Sequence, residues 1–189
     1  MKVLLHICCA PCSTYSALFL RENGYDVTGF FYNPNIYPRE EIIKRESEAK
    51  RFFSEINLQF VSDISGVEDW YRMTEKLRDR REGDIRCNIC FAVRLDRTAR
   101  EALSRGIECF TTTLTIAPMK NSKKIFRIGN LISRKYSLRF LEVDFKKRDG
   151  FKKSCRMSEE YYLYRQNYCG CEYSYKERLI KEKKRTIPL

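Results

Sequence analysis

No apolar run in this chain approaches the roughly 20 residues needed to cross a bilayer as a helix. The opening MKVLLHI is too short and too polar for a secretory leader. It contains His6 and runs into Cys8-Cys9 without a small-residue cleavage site. A cytoplasmic protein without a membrane partner is therefore expected, in a compartment that keeps thiols reduced. Internal repeats, low-complexity linkers and composition breaks are also missing. The 189 residues thus fit a single α/β domain, 1–189, with 146–189 as a C-terminal extension. Acidic residues are scarce: 25 Asp and Glu face 37 Lys and Arg, for a net charge of +12. That excess favours a polyanionic partner, nucleic acid first. The ion-paired surface of a heat-adapted protein is the competing explanation, but it would not require so large an excess. An even cysteine count is lacking as well. Nine cysteines cannot all pair within the chain, which argues against a disulfide scaffold.

The pattern that remains alternates strands with helices. Residues 2–9 read as a buried strand, with Ser13 as the cap of a helix from Thr14 that stops before Gly24. VTGFFY (27–32) is a second strand, closed by the turn-forming Asn33-Pro34-Asn35. Pro38 opens a long charged helix with acids in its first turn. A third short strand covers 58–61, and 67–80 are helical in composition. RCNIC (86–90) precedes a helix over 91–105, and IECFTTTLTI (107–116) is a fourth strand. Asn121 caps a basic helix, LRFLEVDF (138–145) is the fifth strand, and a tyrosine-rich helix from Ser158 leads to Cys-Gly-Cys. The expected architecture is a doubly wound, Rossmann-like, mostly parallel five-stranded sheet with helices on both faces, followed by a helical, cysteine-containing extension.

Ligands of such sheets bind at the carboxyl ends of the strands. CCAPC, YNPNIYP, APMKN and KKRDG all follow strands, so four unusual loops converge on one edge. Cys8 and Cys9 from the first loop, with Cys87 and Cys90 from RCNIC, offer four thiolates for zinc or an iron–sulfur cluster. Adjacent cysteines are awkward on one tetrahedral ion, whereas a wider cluster accepts neighbouring thiolates at different irons, so the cluster is favoured. Cys12, one turn beyond Cys9 near a helix N-terminus, should be ionised. It is a spare ligand, the ligand of a second metal, or merely a reactive thiol. Cys169-Gly170-Cys171 suits a strained, readily reduced disulfide that exchanges electrons, with extra metal ligation as the alternative. Cys109 fits the core, Cys155 is left undetermined with a structural place as its default, and His6 takes a core position in the first strand.

Tyr161, Tyr162, Tyr164 and Tyr168, interleaved with Arg156 and Arg165, can stack on unpaired bases, although tyrosines at helical spacing are commonly packing residues. KNSKKIFR, SRKYSLR, KKRDGFKK and KEKKR can follow phosphates, against the plainer reading of solvated faces.

Taken in order, HICCAPCS, YNPNIYP, RCNICF, TTTLTIAPMKN, DFKKRDGF and YRQNYCGCEYS resemble the QueH-type epoxyqueuosine reductases, from Cys8 to Tyr173. The resemblance implies an oxygen-sensitive iron–sulfur oxidoreductase that reduces epoxyqueuosine to queuosine at the wobble position of tRNA anticodons, fed by an electron donor that the sequence does not identify. It implies a 4Fe-4S cluster on Cys8, Cys9, Cys87 and Cys90 and a redox-active disulfide between Cys169 and Cys171. Cys12 is then a catalytic thiol or the ligand of an additional iron ion. Asn33, Asn35, Lys120 and Arg165 are candidate substrate contacts. Ala117 departs from an expected serine without touching any of these roles. A tRNA-thiolating enzyme should carry a glycine-rich phosphate loop where CCAPCS stands. A zinc-dependent RNA-binding module would leave Cys-Gly-Cys unexplained.

Overall fold

The computed structural model describes residues 1–186, with the side chains of all of these except 181 and 183–186. Five strands, β1 (Lys2–Ile7), β2 (Asp26–Tyr32), β3 (Gln59–Asp63), β4 (Cys109–Thr112) and β5 (Arg139–Phe140), form one sheet in the order β3-β2-β1-β4-β5. Every pairing is parallel. Among the described residues, seven α-helices accompany them: α1 (Ala10–Glu22), α2 (Arg39–Glu55), α3 (Val67–Thr74), α4 (Ile85–Ser104), α5 (Ser122–Tyr136), α6 (Gly150–Glu160) and α7 (Glu172–Thr186). Because β1 is covered on both faces, it is a continuous apolar run rather than an alternating one. Val3, Leu5 and Ile7 join Ala17, Leu20, Phe52 and Phe53 of α1 and α2 on one face. Leu4 joins Leu95, Ala99 and Ile125 of α4 and α5 on the other. At about 1.5–3 kcal/mol for each large aliphatic or aromatic side chain buried, these two layers carry much of the fold's stability.

Strands β1, β2 and β3 step outward in one direction, and the chain then returns to place β4 on the other side of β1. The loops leaving β1 and β4 therefore diverge, and this switch point opens the crevice where such sheets take ligands.

Several boundaries differ from the sequence-based expectation. The first helix starts at Ala10, with Cys9 as its cap and Pro11 in the first turn, where a missing N–H costs nothing. Ser13 lies inside that turn and donates to the Ala10 carbonyl instead of capping. Asp84 caps α4 by accepting from the Ile85 amide, so RCNIC lies within the helix and not ahead of it. The β-branched run after Cys109 keeps only four residues in strand before a 3₁₀ turn over Thr113–Ile116. The Thr111 and Thr115 hydroxyls donate to the Leu141 and Val143 carbonyls at 2.8 Å, taking the place of a strand ladder and leaving β5 two residues long.

The helix expected to carry the tyrosines ends at Glu160, and Tyr162 is left-handed at φ 51°. Tyr161 packs edge-on against Phe52, Tyr164 donates to Glu41, and Tyr168 donates to the Tyr37 carbonyl. Those three rings are occupied against α2 and the loop before it, and Tyr162 alone of the four is exposed. Ring packing and hydroxyl pairing hold this segment in place. Of the basic stretches, KEKKR (181–185) falls in α7, and its side chains apart from Glu182 lie outside the described residues.

Candidate metal centre

Cys8 leaves the carboxyl end of β1, Cys9 caps α1, and Cys12 follows one turn later on the same side of the helix. The Cys8 and Cys9 Sγ atoms lie 3.8 Å apart, and the sulfurs of Cys8, Cys9 and Cys12 all fall within 4.8 Å of one another. This group can hold a metal ion. Two thiolates on one tetrahedral ion with ~2.3 Å bonds stand ~3.8 Å apart.

The three thiols are electrostatically unequal. Hydrogen bonds from Cys12 and then Cys9 hold the Cys8 thiol well below the usual range, and the charges of Arg94 and Lys120 assist. Cys12 moves the opposite way, pushed up by its bonds to Cys8 and Cys9 and by burial. Cys9 gains from a bond with Cys12, but its own bond to Cys8, its burial and the Cys8 charge push it up to about 12. The expected ionised Cys12 is thus replaced by an ionised Cys8. The hydrogen bonds that Cys8 accepts favour its charged form.

Cys87 and Cys90 are one turn apart at the start of α4, outside the three-thiol group. They line a neighbouring cavity of about 240 Å³ together with Cys169, Cys171, Arg94 and Lys120. Burial pushes Cys90 up to about 12 and raises Cys87. A more open cleft beside it takes in Cys8, Cys12, Cys169 and Arg165 and has Arg94 and Lys120 in common with the first. The neighbouring sulfurs, Cys169 first and then Cys8 and Cys12, raise the Lys120 ammonium above its ordinary range against the opposing effect of burial. Arg94, Lys120 and Cys169 thus belong to the walls of both spaces.

Cys169 and Cys171 are free thiols between α6 and α7, the first half-buried and the second buried. The loop after β2 holds this segment in place. The Tyr37 amide donates to the Gly170 carbonyl at 2.8 Å, Ile36 bridges to Cys171, and Arg45 Nη1 donates to the Cys169 carbonyl at 3.4 Å. Gly170 adopts φ 128°, outside the range where side chains are comfortable.

Among the substrate candidates, Asn33 is fully buried, donating to the Ile7 carbonyl and accepting from Arg94 at 2.6 Å. Asn35 and Lys120 line the smaller cavity, and Arg165 lines the cleft. Cys109 is in the core, and Cys155 is half-buried on α6. His6 is buried, within 2.8 Å of Thr112 Oγ1, and accepts from Arg94 Nε at 3.3 Å. Burial, then the Arg94 charge, lowers its pKa to about 3, so the imidazole is neutral.

Sequence reasoning passed over Arg94, which is 3% exposed and joins His6, Asn33 and Cys90. Its spacing four residues after Cys90, on the same helix face, was the available signal. Gln166, Trp70 and Arg86 carried no comparable one. Asn35 Oδ1, Trp70 Nε1 and Arg86 Nε are buried in residues of the cavity wall and have no hydrogen-bond partner among the described residues. Unpaired buried polar atoms are uncommon, and a chamber lined by them and by soft thiols suits a charged, thiolate-bound group such as an iron–sulfur cluster.

A parallel α/β sheet with a cysteine group able to bind metal at its switch point defines the general class, a thiol-rich metal-site protein on a Rossmann-like scaffold. Among solved structures, the predicted subunit of a tRNA methyltransferase from Methanocaldococcus jannaschii shares this fold, with a TM-score of 0.58 at 12% identity over 85% of this chain and 74% of its own. The family model for epoxyqueuosine reductase QueH matches residues 3–177, and the chain belongs to that family of oxidoreductases. Epoxyqueuosine reductase QueH of Streptococcus pyogenes serotype M1 is 39% identical, over 93% of this chain and 71% of its own length. The Thermotoga maritima enzyme of the same name is 38% identical over 95% and 93%. No helix among the described residues is long and apolar enough to cross a membrane.

Proposed function

We propose that the protein reduces epoxyqueuosine to queuosine at the wobble position of tRNA anticodons, in the cytoplasm. Cys8, Cys9, Cys87 and Cys90 would hold a 4Fe-4S cluster, and Cys12 would ligate an additional iron or act as a free thiol. The observation that carries this reading is the meeting of two cysteine sets and a dithiol around Arg94 and Lys120. When bound, the cluster would supply electrons one at a time.

Converting the epoxide to an alkene breaks both C–O bonds and consumes two electrons and two protons, releasing water. The Cys169–Cys171 dithiol can supply all four as it closes to a disulfide, and an external electron donor must then reopen it. Lys120 Nζ, held protonated beside the thiols, can stabilise the negative charge on the departing oxygen. Segment 146–189 serves as the extension that brings the dithiol to the crevice. The net charge of +12 supports tRNA binding through phosphates. Thiolation and zinc-dependent RNA binding are not favoured, since family membership points to epoxide reduction.

The test is anaerobic purification followed by iron and sulfide analysis, a visible spectrum, and nucleoside analysis of epoxyqueuosine-containing tRNA after reaction. A broad iron–thiolate absorption with conversion to queuosine is expected. Stoichiometric zinc without sulfide, or unchanged epoxyqueuosine, would overturn the reading.

A further inference from the structure

The donors that surround the cysteines fall into a pattern. Thr113 Oγ1 donates to Cys8 Sγ at 3.3 Å, and Gln166 Nε2 donates to Cys9 Sγ at 3.0 Å. The Gly83 amide donates to Cys87 Sγ at 3.1 Å, and Arg94 Nη1 donates to Cys90 Sγ at 3.9 Å. Each of the four proposed cluster ligands thus has one N–H or O–H donor of its own, from four different parts of the chain. Among the described residues, Cys12 has no such donor beyond its fellow thiols and Cys109 and Cys155 have none, while Cys171, outside the four, accepts one from the Ser174 amide at 3.4 Å. A neutral buried thiol needs no donor, being a small hydrophobe with weak hydrogen-bonding power. A permanent thiolate does need one, and donors to cluster sulfurs withdraw electron density and raise the reduction potential.

We infer that Thr113, Gln166, Arg94 and the Gly83 amide act as positioning groups that raise the potential of the cluster, and that Gln166 links that potential to the redox pair. Gln166 lies three residues before Cys169, on the segment fastened by the Gly170 and Arg45 contacts. Movement of that segment on disulfide formation therefore alters the donor on Cys9. Arg94 adds a formal positive charge held rigidly by Asn33 and His6, which further favours the reduced, more negative cluster.

This inference rests on the cluster reading proposed above, and the experiment separates the two. Thr113→Val and Gln166→Met keep shape while removing the donor. The midpoint potential of the anaerobically reconstituted full-length protein is read by EPR-monitored redox titration, with iron and sulfide measured alongside. Both variants are expected to load fully and to shift to more negative potential, with Arg94→Lys shifting less than Arg94→Gln. For Gln166→Met, the potential is expected to lose its dependence on whether Cys169 and Cys171 are reduced or oxidised. Loaded variants with wild-type potentials would overturn the inference and leave the cluster reading standing. Loss of the cluster from both conservative variants would also overturn it, since a tuning donor leaves ligation intact. A wild-type protein that binds no cluster overturns both.

Discussion

Gly170→Ala probes how the redox pair is held. At φ 128° the backbone of residue 170 is outside the wells open to alanine, a cost of about 1–3 kcal/mol. The added Cβ would also stand 3.0 Å from Arg45 Nη1 and 3.2 Å from Ile36 Cγ1, tighter than ordinary contact. The Arg45 side chain is 2% exposed and engaged with Glu41 at 2.7 Å, so it has little freedom to yield. For a chain of this size, about 2–4 °C per kcal/mol translates the cost into a melting temperature lower by roughly 2–12 °C. The chain has an escape, because releasing the segment from Ile36 and Tyr37 relieves the strain without global unfolding. Release exposes Cys171, which is buried in the docked form. Its alkylation should then accelerate by roughly 5- to 150-fold, the same 1–3 kcal/mol expressed as an opening equilibrium. Gly24→Ala is the control, at φ 81° with nothing within 4 Å of the added Cβ. It should cost about 1 kcal/mol and leave Cys171 protected. Differential scanning calorimetry and mass-resolved alkylation read the two effects. A Gly170→Ala protein with wild-type melting and wild-type Cys171 protection would refute the docking account.

Cys12→Ala should retain the cluster's visible spectrum while losing most epoxide reduction; wild-type turnover would make Cys12 a bystander. Cys169→Ser and Cys171→Ser should keep iron content and tRNA affinity while multiple-turnover activity collapses, whereas prior loss of iron would mark the pair as ligands. After iron is removed by chelation, Cys8 should alkylate near neutral pH well before Cys9, because its thiol is depressed while that of Cys9 is pushed up to about 12. Equal pH profiles from mass-resolved alkylation would contradict that ordering. In a salt series, the logarithm of tRNA affinity should fall linearly, with a slope near −0.7 to −0.9 for each phosphate contact, and a flat response would remove the polyanion argument.

By itself, the sequence determined what depends on local chemistry and simple periodicity. The apolar runs and their helical spacers specify a parallel sheet covered on both faces, because strands buried on two sides cannot alternate. The motifs at the ends of β1, β2 and β4 specify the edge on which the site forms, since parallel strands deliver every carboxyl end to the same side. Their order along the chain identified the family that the comparisons then showed. What the sequence could not determine is where competing side chains come to rest. Asp84 pulled RCNIC into a helix, threonine hydroxyls cut short β4 and β5, and ring packing ended the tyrosine helix, each through a contact far away in sequence or invisible to periodicity. Tertiary structure alone decided that Cys12 packs with Cys8 and Cys9, that Cys8 takes the charge, and that Arg94 belongs to the walls of both cysteine-lined spaces. Charge distribution among buried thiols depends on distances of a few ångströms between segments up to about 160 residues apart, such as Cys9 and Gln166, and no local pattern encodes those distances.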